Sequence, residues 1–227
     1  MQSIYFVDSN FTYESSKKSI LSIRYATDGF SFCVHDETEK LVVFVHEPYA
    51  ADSREAAVAR LKNYVVNDAI LNLRFKKVYI MPCFKEKLLV PGAFFDKANI
   101  ATLYTVNQEV SPDDTILYHH IEGIEAYLVE TVISSFHDFV REHFPVVQIV
   151  NGAYPFILGA MSKALRDTEQ IFLDIQDNYF DLLFIRDSGI QLFNTFSYKA
   201  MTDIVYFLLN CIKECGINQE KAHLSIC

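Results

Sequence analysis

Three aspartates, Asp174, Asp177 and Asp181, stand close together between two apolar runs. Two or three carboxylate oxygens are what a Mg²⁺ ion takes from a protein site of nuclease type. The same residues also suit plain turn chemistry and strand-end solvation, so both readings stay open. Adjacent His119 and His120 would point to opposite faces of a strand, and they cannot share a metal unless the backbone bends. His137 and His143 lie on a helix without an HExxH pattern, which leaves them surface or capping roles. Cys211 and Cys215 share a helix face at i, i+4, a spacing zinc can use. No second Cys or His pair follows at finger-like spacing, so core packing is expected.

Other reaction classes lack their residues. Gly159-Ala160-Met161-Ser162 does not supply the G-x-S-x-G of a serine hydrolase. The seven glycines are spread singly, with neither GxGxxG nor GxxxxGK[ST]. Asn151-Gly152 before a helix offers N–H groups to an anion, but Pro155 removes one of them, and a strand-to-helix turn is the plainer reading.

The elements that must position these residues follow from periodicity. Ile20–Tyr25, Phe30–His35 and Leu41–His46 read as three antiparallel strands, the first two joined at Asp28-Gly29, a strong hairpin signal. Asp52 with Glu55 three residues on resembles a capping box, and Val58, Leu61, Val65 and Ala69 then recur at helical spacing. Lys77–Met81 is a short strand closed by Pro82. From Cys83 to Pro145 the pattern changes: a Val90-Pro91-Gly92 turn, a helix over Phe94–Tyr104, strands near Thr115–His120 and Ile124–Glu130, and a helix with Ile133, Phe136 and Val140 inward. Val146–Val150 is a buried-type strand, and Pro155–Leu165 a helix with proline in its first turn.

From Gln170 the opening pattern returns. Strands Ile171–Ile175, Asp181–Ile185 and Ile190–Phe196 precede a helix over about Lys199–Cys215. Laying Val34-His35-Asp36 over Ile185-Arg186-Asp187 brings the two meanders nearly into line, which indicates an internal repeat. After Gly216, Ala222–Cys227 reads as the start of a further strand, so the second unit is expected to be incomplete at its C-terminal end. The expected division is residues 1–168, with an inserted lobe at about 83–145, and residues 169–227.

At 227 residues, half of them apolar, the chain can bury one large or two modest cores. A formal net charge of −9, with no Lys/Arg run longer than two, argues against a nucleic-acid partner. Five scattered cysteines without CxxC fit a reducing compartment and hence the cytoplasm. The first twenty residues read as no export signal, and no apolar run approaches the roughly 20 residues of a membrane span. Nineteen Phe and thirteen Tyr exceed what a core of this size needs. Tyr5, Tyr13, Tyr104 and Tyr118 are therefore candidates to line a groove or meet a partner.

Three antiparallel strands, a crossover helix and further parallel strands describe a ribonuclease H-like βββαβα unit. Its duplication in a mixed α/β chain resembles the actin-like ATPase architecture. The stretch DLLFIRDSGIQLFNTFSYKAMTDIVYFLL, from Asp181 to Leu209, is similar to the second meander and helix of the pilus-assembly protein PilM and of the cytoplasmic part of type II secretion protein L. The whole chain resembles a Bacteroidetes family grouped with those folds. ATPases of that fold cradle phosphates with two Asp-x-Gly turns, one after the first strand of each unit. By that resemblance the first turn corresponds to Ile23-Arg24-Tyr25-Ala26, without Asp or Gly. The second corresponds to Asp174-Ile175-Gln176, where Asp174 survives as the metal residue and Gln176 replaces the glycine. The resemblance implies a non-catalytic scaffold that holds a protein or peptide in an inter-subdomain cleft, with weak Mg-dependent ATP binding through Asp174 and Gln176 as the alternative.

Overall fold

The computed structural model describes residues 2–227. In chain order the elements begin with strand β1 (Ile4–Val7), the short helix α1 (Tyr13–Ser16), strands β2 (Ile20–Ala26), β3 (Gly29–His35) and β4 (Leu41–Pro48), helix α2 (Arg54–Asn67) and strands β5 (Lys77–Pro82) and β6 (Lys87–Pro91). A 3-10 turn at Gly92–Phe94, helix α3 (Ile100–Asn107), strands β7 (Asp114–His120) and β8 (Ala126–Ile133), helix α4 (Ser134–His143) and strand β9 (Val147–Ile149) follow. Helix α5 (Ala153–Ser162), strands β10 (Glu169–Ile175), β11 (Tyr179–Arg186) and β12 (Gly189–Ser197), helix α6 (Met201–Glu214) and strand β13 (His223–Ile226) complete them.

Packing groups these elements into two units. The first holds the described residues through Phe84, with Val110–Leu117 and Thr131–Gly152; the second holds Lys85–Glu109, Tyr118–Glu130 and Ala153–Cys227. This differs from the expected division at 168/169. Most of the lobe at 83–145 and the helix before residue 169 group with the second meander, and only parts of the lobe group with the first.

In the first unit the sheet runs β1-β4-β3-β2-β5-β9, antiparallel through β2, β3 and β4 and parallel from β2 to β5 to β9. Alternation decides which face is buried. Leu21, Ile23 and Tyr25 on β2 and Phe30, Phe32 and Val34 on β3 enter one core with Leu61 and Val65 of α2 and Phe136 and Val140 of α4. Helix α2 starts one residue later than the capping-box reading placed it. Ser53 is the cap, its Oγ accepting from the Ala56 N–H at 3.2 Å. The hairpin glycine is required: Gly29 has φ +150°, and a Cβ there would meet the Glu47 carbonyl oxygen at 2.7 Å.

In the second unit the sheet runs β12-β11-β10-β13, with β13 parallel to β10 and the other pairs antiparallel. Strand β11 is buried on both faces. Leu183 and Ile185 pack with Ala153 and Ile157 of α5, whereas Phe180, Leu182 and Phe184 pack with Ile204 and Ile212 of α6. The order β4-β3-β2-β5 is thus repeated as β12-β11-β10-β13. The registers agree as well: Ile20 pairs His35 where Glu169 pairs Arg186. The repeat read from the strand pattern is a repeat of topology.

A three-stranded sheet, β6-β8-β7, accounts for the region where sequence patterns were weakest. Val90-Pro91, expected in a turn, ends strand β6 on β8, and Gly92 donates its N–H to the Glu125 carbonyl at 2.7 Å. The helix expected over Phe94–Tyr104 begins only at Ile100. Asp96 accepts from the Ala98 N–H at 2.9 Å and the Asn99 side chain at 2.6 Å, a local turn that competes with helix, and Phe95 stacks on Tyr127 at 3.6 Å.

Candidate functional site

Strand β10 ends in the turn that the resemblance marks. Asp174 is half-buried near the end of the strand, and Gln176 folds back so that its Nε2 donates to Asp174 Oδ1 at 2.8 Å. The backbone of the turn is engaged as well: the Gln176 N–H donates to the Tyr179 carbonyl at 2.9 Å, and the Tyr198 hydroxyl donates to the Gln176 carbonyl at 2.6 Å. The turn thus carries a side-chain amide on Asp174, at the place where the resemblance expects a glycine.

Asp174 and Asp181 are cross-strand partners. Asp181 is 2% exposed, and its Oδ1 accepts from Lys87 Nζ at 2.9 Å and from the Thr195 hydroxyl at 2.6 Å. Lys87 is as deeply buried, and its ammonium lies 4.5 Å from the centre of the Tyr179 ring. Burial pushes the Asp181 carboxyl up from its ordinary value, while the charge of Lys87 pulls it back. Asp177 is exposed at the hairpin tip. The three aspartates of the sequence reading are therefore divided among a side-chain amide, a buried ion pair and solvent. Among the described residues no group of three or more His, Cys, Asp or Glu is arranged to hold a metal ion.

Lys87 was missed because it follows an irregular, lysine-rich stretch and reads as a surface residue. Its one signal is the apolar run Leu88-Leu89-Val90 that places it at the head of a strand. Glu130, also 2% exposed, is its register partner on β8, and His119 Nε2 lies 4.0 Å from Glu130 Oε1. Burial lowers the His119 pKa from its ordinary value.

The first turn is of different chemistry. It holds neither Asp nor Gly: the Arg24 guanidinium lies 3.7 Å from Asp28, and Ala26 pairs directly with Gly29 to close the hairpin. The remaining candidates fall elsewhere. His137 bonds its neighbour Asp138, and His143 stacks on Phe139. Cys211 and Cys215 are thiols packed against the α6 core cluster. The Gly152 N–H donates to the Pro82 carbonyl at 2.9 Å, in keeping with the plainer strand-to-helix turn. Of the four tyrosines proposed for a partner surface, Tyr5 and Tyr13 are exposed and Tyr118 is half-buried. Tyr104 is fully buried, its hydroxyl donating to the Glu86 carbonyl at 2.8 Å.

A three-stranded meander joined through a helix to a parallel fourth strand, present twice, is the actin-like ATPase fold. The chain belongs to the family described as protein of unknown function (DUF3822), whose model matches residues 8–227. A solved protein of Bacteroides thetaiotaomicron VPI-5482, with an actin-like ATPase fold and unknown function, is 23% identical. It superposes with a TM-score of 0.88, covering 95% of this chain and 84% of that one. Weaker likenesses are the PilM–PilN type IV pilus biogenesis complex (12% identity, TM-score 0.45, 86% and 66% covered) and an Aquifex aeolicus member of the Ppx/GppA family (10%, 0.38, 86% and 61%). None of the curated proteins matches the chain. Among the described residues no helix is long and apolar enough to cross a membrane.

Proposed function

We propose that this chain is a non-catalytic member of the actin-like fold that binds a protein or peptide partner, its nucleotide site having degenerated. The observation that carries the reading is the Gln176 amide bonded to Asp174 at 2.8 Å, at the position the resemblance gives to the phosphate-turn glycine. The first turn points the same way, since Ile23-Arg24-Tyr25-Ala26 offers neither a carboxylate for a metal nor a glycine for close backbone approach to a phosphate. A partner is supported by helix α6, where Met201, Val205, Tyr206 and Leu209 form an exposed apolar stripe at helical spacing. Five free thiols are in keeping with a cytoplasmic location.

A thermal-shift titration with Mg-ATP and Mg-ADP on the wild type, Gln176→Gly and Asp174→Ala tests this. No shift is expected for the wild type up to millimolar nucleotide. Ligand at a hundred times its Kd would stabilise by about 2.7 kcal/mol, or roughly 5–10 °C for a chain of this size. A rise of that order, lost in Asp174→Ala, would overturn the reading in favour of a weak Mg-dependent nucleotide-binding ATPase.

A further inference from the structure

A cavity of about 450 Å³ opens in the first unit, at the ends of strands β5 and β9 remote from the Arg24 turn. It lies where the connection from α2 to β5 meets the connection from α4 to β9. Its volume is within the roughly 300–1,000 Å³ range of small-molecule sites. The walls are mostly apolar, formed by Leu71, Leu73, Phe75, Val78 and Phe144. Among the polar lining groups, the Asn72 amide is engaged by the carbonyls that end α2, donating to Asp68 at 2.7 Å and Val65 at 2.9 Å.

What remains is basic. Arg74 and His143 line the cavity, no Asp or Glu lines it, and Arg74 has no carboxylate partner among the described residues. In a chain with nine more acidic than basic residues, an acid-free apolar pocket carrying an unmatched guanidinium is a local reversal of charge. A guanidinium presents a planar fork of donors that fits a carboxylate, and apolar walls favour an alkyl chain beside it.

We propose that this cavity binds a small amphipathic monocarboxylate, the carboxylate paired with Arg74 and a short alkyl chain lying along Leu73, Pro145 and Val146, the accessible apolar residues of its lining. The proposal does not depend on the fate of the nucleotide turns. Octanoate, octylammonium and octanol serve as probes, because they share a chain and differ in head group. Saturation-transfer NMR and thermal shift on the full chain should give a response to octanoate, with octanol weaker and octylammonium absent. Arg74→Gln should weaken octanoate about tenfold, the effect of one lost charge-assisted pair, and Arg74→Glu should abolish its binding. Circular dichroism on each variant confirms that the fold persists. If either variant unfolds, the ranking of the three probes on the wild type still decides. Equal responses to all three, no response to octanoate at 10 mM (roughly the weakest affinity worth the name site), or an octanoate response unchanged in Arg74→Gln would each overturn the assignment.

Discussion

Removing Lys87 exposes the energetics of the site most directly. Lys87 and Asp181 are each 2% exposed at the side chain and 2.9 Å apart, so neither has water to fall back on. Desolvating such a pair costs nearly as much as its attraction returns, so the intact pair contributes little net stability. Taking away one partner is different, because Lys87→Met leaves the Asp181 carboxylate buried without its cation. That loss is typically about 3–5 kcal/mol, corresponding to a fall in Tm of roughly 6–20 °C for a chain of this length. The double variant Lys87→Met, Asp181→Leu removes both charges and should recover most of the loss. The pH dependence has a definite sign. Burial raises the folded-state pKa of Asp181 above the unfolded value near 3.8, so the folded state holds the proton more tightly and stability falls as pH rises above that value. Without Lys87 the carboxyl rises further, so the deficit of Lys87→Met should be smallest near pH 4 and grow towards pH 8. Equilibrium unfolding in urea at both pH values reads all of this. A single variant within about 1 kcal/mol of the wild type, where exposed pairs lie, or a double variant no better than the single one, would refute the reasoning.

Gly29→Ala should destabilise the first unit by about 1–3 kcal/mol, as overpacking does, because its Cβ would be driven onto the Glu47 backbone at a positive φ; urea unfolding measures it. Iodoacetamide at pH 7.5 should modify exposed Cys227 first and leave Cys33 and Cys211 slow. Burial raises both thiols and withholds the reactive thiolate, and timed mass spectrometry of peptides would show the order. Early labelling of Cys33 would contradict the packing of β3.

Much of the repeat was legible because it is written in local patterns. The alternation of Leu21, Ile23, Tyr25 and of Phe30, Phe32, Val34 needs only a two-residue period, and Asp28-Gly29 and Asp187–Gly189 supply the turns. Strand β1 escaped because Ile4, Tyr5 and Phe6 form an edge with exposed side chains and no alternation to read. Strand β6 escaped because Pro91 and Gly92 carry a turn signature, which pairing with β8 overrode.

The sequence by itself determined the unit and its duplication, since these depend on spacing along one stretch of chain. Tertiary structure alone decided what the candidate site residues face. Asp174 and Asp181 became cross-strand neighbours through register, Gln176 turned back onto Asp174, and Lys87, far away in the chain, was carried by strand β6 onto Asp181. Burial and ion pairing are properties of neighbours remote in sequence, and a buried lysine has the same letter as a solvated one.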